Sequence, residues 1–267
     1  MVTMRHSKVL NSLRNQQMVK CTKLNSSCHR VVELAALSGF DCIWLDMEHV
    51  PNAWQVIEKQ ILAAKAHDVD TLVRVARGSY SDLIKPLEAD ATGIMVPHIM
   101  SLQDAKNVIK QTRFHPIGRR PVDGGNADGS FGLVSSQDYF ATANRERFVV
   151  LQIEDPEPLD ELDAIAALEG YDMLFFGPGD FAHSLGLPGE SFHPDVNAVR
   201  QKVVQVAHEY GKYAGTTAMS REDLKIMTEL GYDFIGMGAD VVGLAEYYRQ
   251  LVQALDEINL DLIGAKA

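Results

Sequence analysis

Gly170-Tyr171-Asp172-Met173-Leu174-Phe175-Phe176 reads as the end of a helix followed by a strand. Glycine suits the left-handed position that closes a helix, and four apolar residues in a row suit a strand buried on both faces. The same signature recurs at Gly39-Phe40-Asp41 and Gly231-Tyr232-Asp233, each behind a helix-like stretch and ahead of a short apolar run. A weaker version, Ala91-Thr92-Gly93, introduces Ile94-Met95-Val96-Pro97. Working outward gives eight candidate strands, near Met18–Lys23, Cys42–Leu45, Thr71–Val75, Ile94–Pro97, Phe148–Ile153, Met173–Phe176, Tyr213–Thr216 and Phe234–Met237.

Amphipathic helices fill most of the intervals. Val196, Val199, Val203 and Val206 recur at helical spacing behind an expected Asp195 N-cap and ahead of Gly211. Ser101 with Asp104, and Ser220 with Asp223, each resemble a capping box. Strand and helix alternate, so the sheet is expected to be parallel, and eight repeats point to an α/β chain forming a (β/α)₈ barrel. We expect one barrel domain over residues 1–267. A Rossmann arrangement lacks its fingerprint here, because no GxGxxG follows the first strand. Two features break the rhythm. Residues 113–131 carry two prolines and a glycine-rich run, which suits a surface excursion, an active-site cover or a subunit contact. Pro86 marks either the true start of the third helix or a kink.

With 46% hydrophobic and 23% charged residues, the composition is that of a soluble globular protein. A net charge of −11 argues against nucleic acid and anionic membrane as partners, but not against a small anion held by a local arginine. Three cysteines, Cys21, Cys28 and Cys42, without CxxC spacing fit a reducing cytoplasm, and Cys28 and Cys42 read as small core residues. No signal-like or membrane-spanning apolar run is evident, so a cytoplasmic location is expected.

In a barrel the chemistry collects at the carboxyl ends of the strands. The second strand ends in Asp46-Met47-Glu48-His49, the third carries Arg74, the fifth ends in Gln152-Ile153-Glu154-Asp155 and the sixth in Gly177-Pro178-Gly179-Asp180. Glu154 and Asp180 are carboxylates from adjacent strands, an oxygen-rich pair suited to Mg²⁺ or Mn²⁺. Each alone could instead cap a helix; their shared position favours the metal. Backbone N–H groups of the Gly177-Pro178-Gly179 turn could receive a substrate carboxylate. His49 suits a general base with Asp46 or Glu48 fixing its tautomer, or a histidine tied structurally to one of them. Arg74 inside an apolar strand needs an anionic partner, for which a substrate oxyanion is a candidate.

These residues, in this order, resemble the HpcH/HpaI aldolases, class II pyruvate aldolases that are metal-dependent. The resemblance runs from about Leu34 to Gly243 and rests on Gly39-Phe40-Asp41, Leu45 to His49, Val73-Arg74-Val75, Gln152-Ile153-Glu154 and Gly177 to Phe181 with Ser184-Leu185-Gly186. It implies a barrel whose last helix packs on a neighbouring subunit, with a hexamer favoured. It implies ligation of Mg²⁺, Mn²⁺ or Co²⁺ by Glu154 and Asp180, with a 2-oxo acid chelating the ion. Arg74 would face the keto oxygen, and Gln152, Gly179 and Asp180 would help hold the substrate. His49 would assist proton transfer with Asp90 as its partner. The implied reaction is reversible retro-aldol cleavage of a 4-hydroxy-2-oxo (2-keto-3-deoxy) acid to pyruvate and an aldehyde.

Three alternatives stand beside it. An acyl-CoA or citrate lyase would need basic residues for a coenzyme tail, for which Arg119-Arg120 is the obvious cluster. A decarboxylase of oxaloacetate-like acids would share the enolate site. A noncatalytic ligand-binding barrel would not need His49, Arg74, Glu154 and Asp180 together. The loop Gly179 to His183, and the stretch from Arg119 to Gly132, depart from the resemblance and leave the aldehyde side open.

Overall fold

The computed structural model describes residues 2–264. Strands β1 (Val19–Leu24), β2 (Cys42–Asp46), β3 (Asp70–Arg74), β4 (Gly93–Val96), β5 (Phe148–Ile153), β6 (Met173–Phe176), β7 (Tyr213–Ala218) and β8 (Phe234–Ala239) form a closed parallel barrel. Each pairs with the next in sequence, and β8 returns to β1. Helix α1 (Lys8–Arg14) precedes the barrel, and α2 (His29–Leu37), α3 (Trp54–Ala66) and α4 (Tyr80–Glu88) follow the first three strands. Helices α5 (Leu102–Thr112) and α6 (Ser136–Glu146) both lie between β4 and β5. Beyond them come α7 (Leu162–Ala166), α8 (Pro178–Ser184), α9 (Pro194–Glu209), α10 (Arg221–Glu229) and the long α11 (Asp240–Gly264).

Every residue of β2 to β6 is buried, which is why these strands read as continuous apolar runs rather than as alternation. Side chains facing outward join the helices in one core, including Ile43, Val73, Ile94, Leu151 and Leu174. Those facing inward fill the barrel, with Trp44, Leu72, Met95, Phe148 and Phe175 among them. Large and small positions interlock there: a Cβ on Gly93 would meet the Phe148 ring at 2.2 Å. Helix α1 plugs the amino end of this interior with Val9, Leu10 and Leu13.

The recurring Gly-aromatic-Asp signature has a mechanical explanation. Gly39, Gly170 and Gly231 adopt φ values of +95°, +96° and +94°, which L side chains resist. Two residues on, the carboxylate accepts a backbone N–H at the start of the preceding strand. Asp172 Oδ2 takes Val149 N at 2.8 Å, Asp233 Oδ2 takes Ala214 N at 2.8 Å, and Asp41 Oδ2 takes Lys20 N at 3.3 Å. Before β4 the same job falls to Thr92, whose Oγ1 accepts Thr71 N at 2.9 Å. Asp90 then stands where the glycines stand, at φ +72°.

Several local expectations need correction. Pro86 lies inside α4, whose true start is fixed by the capping box of Ser79 and Asp82. The N-cap of α9 is His193, with Asp195 in the first turn. Cys28 is exposed at the start of α2, whereas Cys42 is buried as expected. The Ser220–Asp223 capping box is present, while Ser101 accepts from Asp104 N without the reciprocal bond.

None of residues 113–131 lines the carboxyl-end cavity. Asp128 N donates to the carbonyl of Glu88 at the end of α4. The Asp128 carboxylate is buried and accepts from Arg120 Nη2 at 2.9 Å and Tyr139 Oη at 2.7 Å. Helix α11 instead leaves the barrel, and its described side chains from Val241 to Asn259 are exposed. Among the described residues, no helix is long and apolar enough to cross a membrane.

Candidate active site

The carboxyl ends of the strands surround a cavity of about 370 Å³, lined among others by Lys23, Trp44, His49, Arg74, Gln152 and Asp180. Arg74, the last residue of β3, is 4% exposed and held by two carboxylates from the end of β2. Its Nε and Nη2 lie 3.0 and 2.6 Å from the two oxygens of Asp46, and its Nη1 lies 3.0 Å from Glu48 Oε2. The guanidinium also sits over the Trp44 ring, 5.1 Å from its centroid. Burial penalises the Arg74 charge, but Asp46, Glu48 and Glu154 outweigh it and raise its pKa. Burial likewise pushes the Asp46 carboxyl up, and bonds and charges from Arg74 and Lys23 overcome this and lower it to about 2. Both groups are therefore ionised at neutral pH.

Glu154 follows β5 directly and is fully buried. Its Oε1 accepts the backbone N–H of His98 at 2.9 Å, and Gln152 Nε2 donates to its Oε2. Burial, with Glu48 and Asp180 repelling, pushes its carboxyl up to about 7 despite the opposing His98 N–H and ring. Gly177, at the end of β6, permits the close approach: a Cβ there would meet Glu154 Oε2 at 2.6 Å. Asp180 stands in the first turn of α8, whose N-cap is Gly177, so it is not itself the cap. Gln152 Oε1 is buried without a hydrogen-bond partner.

His49 is 54% exposed at its side chain, with Nε2 3.6 Å from Glu48 Oε2, too long for a hydrogen bond. Of the two neighbours expected to orient it, Asp46 is committed to Arg74 and Lys23, leaving Glu48. Asp90 is not in this group. It lies before β4, at the opposite end of the barrel, where Arg147 Nη2 and Lys65 Nζ each approach it to 2.6 Å. A residue at a helix-ending turn leading into a strand lies at the strand's amino end, so Asp90 cannot meet His49 within one chain.

Two side chains join the site that the sequence had not singled out. Lys23, at the end of β1, places Nζ 2.8 Å from Asp46 Oδ2 and 5.5 Å from the Trp44 ring centroid. His98, just past β4, puts Nδ1 2.8 Å from Asp155 Oδ2 and Nε2 3.3 Å from Glu48 Oε1. The strand-end rule that picked out Arg74 and Glu154 points to both when it is applied to β1 and β4. Glu48, His98 and Glu154 bring one potential ligand atom each within 4.8 Å of one another. Arg120, by contrast, is sealed against Asp128 and Phe114, which removes half of the basic pair that a coenzyme tail would need.

An eight-stranded parallel barrel with carboxylates, an arginine and histidines at its carboxyl end defines a class of enzymes acting on small anions. The comparisons with known proteins narrow that class. A model of the family described as HpcH/HpaI aldolase/citrate lyase matches residues 24–246, and the chain belongs to this family. It is 33% identical over 220 residues to a 2-keto-3-deoxy-L-rhamnonate aldolase of Klebsiella pneumoniae subsp. pneumoniae, covering 82% of each chain. It is 34% identical over 209 residues to a 5-keto-4-deoxy-D-glucarate aldolase of Shigella boydii serotype 18, covering 78% of this chain and 80% of that one. The crystal structure of an HpcH/HpaI aldolase from Desulfitobacterium hafniense superposes with a TM-score of 0.88 at 26% identity, over 96% of this chain and 98% of that one. The protein is a carbon–carbon lyase of the aldolase type.

Proposed function

We propose that the protein catalyses reversible, divalent-metal-dependent retro-aldol cleavage of a 4-hydroxy-2-oxo (2-keto-3-deoxy) acid to pyruvate and an aldehyde. The observation that carries this reading is the convergence of three carboxylates, Glu48, Glu154 and Asp180, at the carboxyl end of the barrel, where burial first and then repulsion from the other two raises the Glu154 carboxyl to about 7. A cation held among such like charges would relieve their repulsion. Glu154 and Asp180 would hold the ion, and the unpartnered Gln152 Oε1 supplies a further oxygen donor, a set that fits Mg²⁺, Mn²⁺ or Co²⁺. When bound, the ion supplies Lewis acidity toward the 2-oxo group.

The remaining work falls to the chain's own groups. Cleavage breaks the C3–C4 bond, leaves the electron pair on C3 as a pyruvate enolate and turns the C4 hydroxyl into the aldehyde carbonyl. Arg74, locked by Asp46 and Glu48, presents a fixed cation where the enolate oxygen develops charge, with no reorganisation at the moment of reaction. His49, on the open side of the cavity, accepts the hydroxyl proton and returns it in the synthetic direction. Gly179, second in α8, offers a backbone N–H without a helical acceptor to the substrate carboxylate. No step uses Asp90 of the same chain.

The chain acts as a homo-oligomer, with a hexamer favoured, in this reading. Helix α11 exposes Val242, Tyr247, Leu251, Val252, Leu255 and Ile258, too much apolar surface for a helix meant for water. On α2 and α10, which pack beside β1 and β8, Leu34, Leu37 and Ile226 are also exposed. In this reading a second copy's α11 would cover these apolar residues. The whole chain forms one barrel domain and works in the cytoplasm, in keeping with its free cysteines.

The test is pyruvate release across a panel of 4-hydroxy-2-oxo acids, after chelation and after return of Mg²⁺, Mn²⁺ or Co²⁺. Turnover should vanish on chelation and recover with the ion. Full activity in metal-stripped protein would overturn the reading.

A further inference from the structure

We propose that His98 and Glu48 extend the cation site, with His98 Nε2 as a nitrogen ligand that shifts the site's preference from Mg²⁺ toward later divalent metals. This rests on the metal reading above and goes beyond it, since that reading needs only the oxygens around Glu154 and Asp180.

Four observations converge on the imidazole. Its Nδ1 is fixed 2.8 Å from the Asp155 carboxylate, so Nε2 is the nitrogen left for another partner. Nε2 turns to Glu48 Oε1 at 3.3 Å, and Glu48, Glu154 and one ring nitrogen of His98 can each place a ligand atom within 4.8 Å of the others. A carboxylate behind one ring nitrogen, with the other facing a cation, is the arrangement that orients metal-binding histidines. Second, Glu154 Oε1 accepts the His98 backbone N–H at 2.9 Å and lies 3.7 Å from the ring's Nδ1, which keeps the imidazole beside the carboxylate.

Third, Gln152 Oε1 is buried without a partner while its Nε2 is spent on Glu154, leaving an oxygen donor at this same carboxylate. Fourth, His98 holds φ at +50°, and this brings both its N–H and its ring to the Glu154 side. Imidazole favours Co²⁺, Ni²⁺ or Zn²⁺, whereas carboxylates and water suffice for Mg²⁺. An all-oxygen site also binds Co²⁺ better than Mg²⁺, so the preference of the wild type alone decides nothing. The change on removing the ring does.

The experiment compares wild type with H98N, since asparagine tolerates positive φ and is too short to replace the ring. Calorimetric titrations give the Kd for Co²⁺ and for Mg²⁺ in each, with thermal melts confirming that H98N is folded. The Co²⁺ Kd should weaken by roughly 10- to 100-fold in H98N, the scale seen when a metal-site contact is removed, while the Mg²⁺ Kd moves much less. In Mn²⁺-loaded protein carrying ¹⁵N-histidine, pulsed EPR should detect a directly bound nitrogen in wild type and none in H98N. Equal weakening for both metals, or a nitrogen coupling that is absent from wild type or persists in H98N, overturns the proposal. Should wild type and H98N bind Co²⁺ alike while both still depend on a divalent ion for turnover, only this inference falls. If wild type binds no divalent ion, the metal reading falls with it.

Discussion

Arg74 and Asp46 form a two-point ion pair at the end of adjacent strands, with N–O separations of 3.0 and 2.6 Å. The register places them side by side, Asp46 opposite Arg74 across β2 and β3. A planar guanidinium held by both carboxylate oxygens keeps one orientation, which lysine at the same place would not. The pair thus ties barrel stability to the placement of a cavity cation.

The first prediction concerns acid stability. Asp46 titrates at about 2 in the folded chain against 3.8 for an unperturbed Asp. A lowered folded pKa contributes stability above the unfolded value and loses it as pH falls through the folded one. The contribution is roughly 2 kcal/mol at neutral pH. Urea unfolding of wild type and D46N should show a gap at pH 7 that narrows as pH drops from about 4 to about 2. A gap independent of pH in that window would mean that the charge of Asp46 does not stabilise the fold.

Much of this architecture was legible because barrel strands are buried on both faces. All eight expected strands lie within two residues of those observed, and β5 and β6 agree at both ends. Reading the polar residue past each apolar run found Asp46, Glu48, Arg74, Glu154 and Asp180, since that position is where a parallel barrel opens to solvent. The same rule, applied past Pro97 and at the end of β1, reaches His98, whose sequence setting alone suggests no role, and Lys23. Asp90 is a separate case. Its neighbourhood repeats the glycine signature with Asp in the glycine's place, so it ends a helix at φ +72°, at the barrel end away from His49 of the same chain. The departure of α11 from the barrel is a matter of chain path, on which an amphipathic pattern is silent and which the family resemblance alone implied.

Asp90 gives the second prediction. Its carboxylate is 2% exposed and paired with the buried Arg147, and D90N leaves that guanidinium short of its counter-charge. Asparagine accepts the positive φ, so backbone strain does not enter. Chemical denaturation should show a loss of roughly 3–5 kcal/mol, the usual cost of breaking a buried pair. The turnover number of the fraction that remains folded should be unchanged. A fall in kcat without a fall in stability would restore Asp90 to the reaction, through a neighbouring subunit.

His49 should act on the proton and not on the ion. H49A is expected to slow aldol cleavage by roughly 10²–10⁴-fold. Its half-exposed side chain packs no core, so the melting temperature should stay within error. Divalent-ion affinity, measured by titration calorimetry, should also hold. Lost ion binding in folded H49A would move His49 into the coordination shell and leave the proton without its acceptor.

The last prediction separates the enolate half of the reaction from the unknown aldehyde. If Arg74 stabilises a pyruvate enolate, the protein should exchange the methyl protons of pyruvate for deuterium in heavy water with no aldehyde present. Oxaloacetate should also lose CO₂, because that step reaches the same enolate. R74A should depress both reactions by roughly 10²–10³-fold, the scale for losing one oxyanion-stabilising donor. Removing this buried cation also strands Asp46 and Glu48, so R74A alone could fail by unfolding. R74K keeps a charge but loses the fork, and it should fall between wild type and R74A while remaining folded. NMR follows the exchange, and thermal melts of each variant report the fold. Exchange and decarboxylation undiminished in a folded R74A would show that the guanidinium only holds β2 and β3 together. Loss of both reactions in R74K, with stability retained, would place the requirement on the directed N–H groups of arginine rather than on its charge.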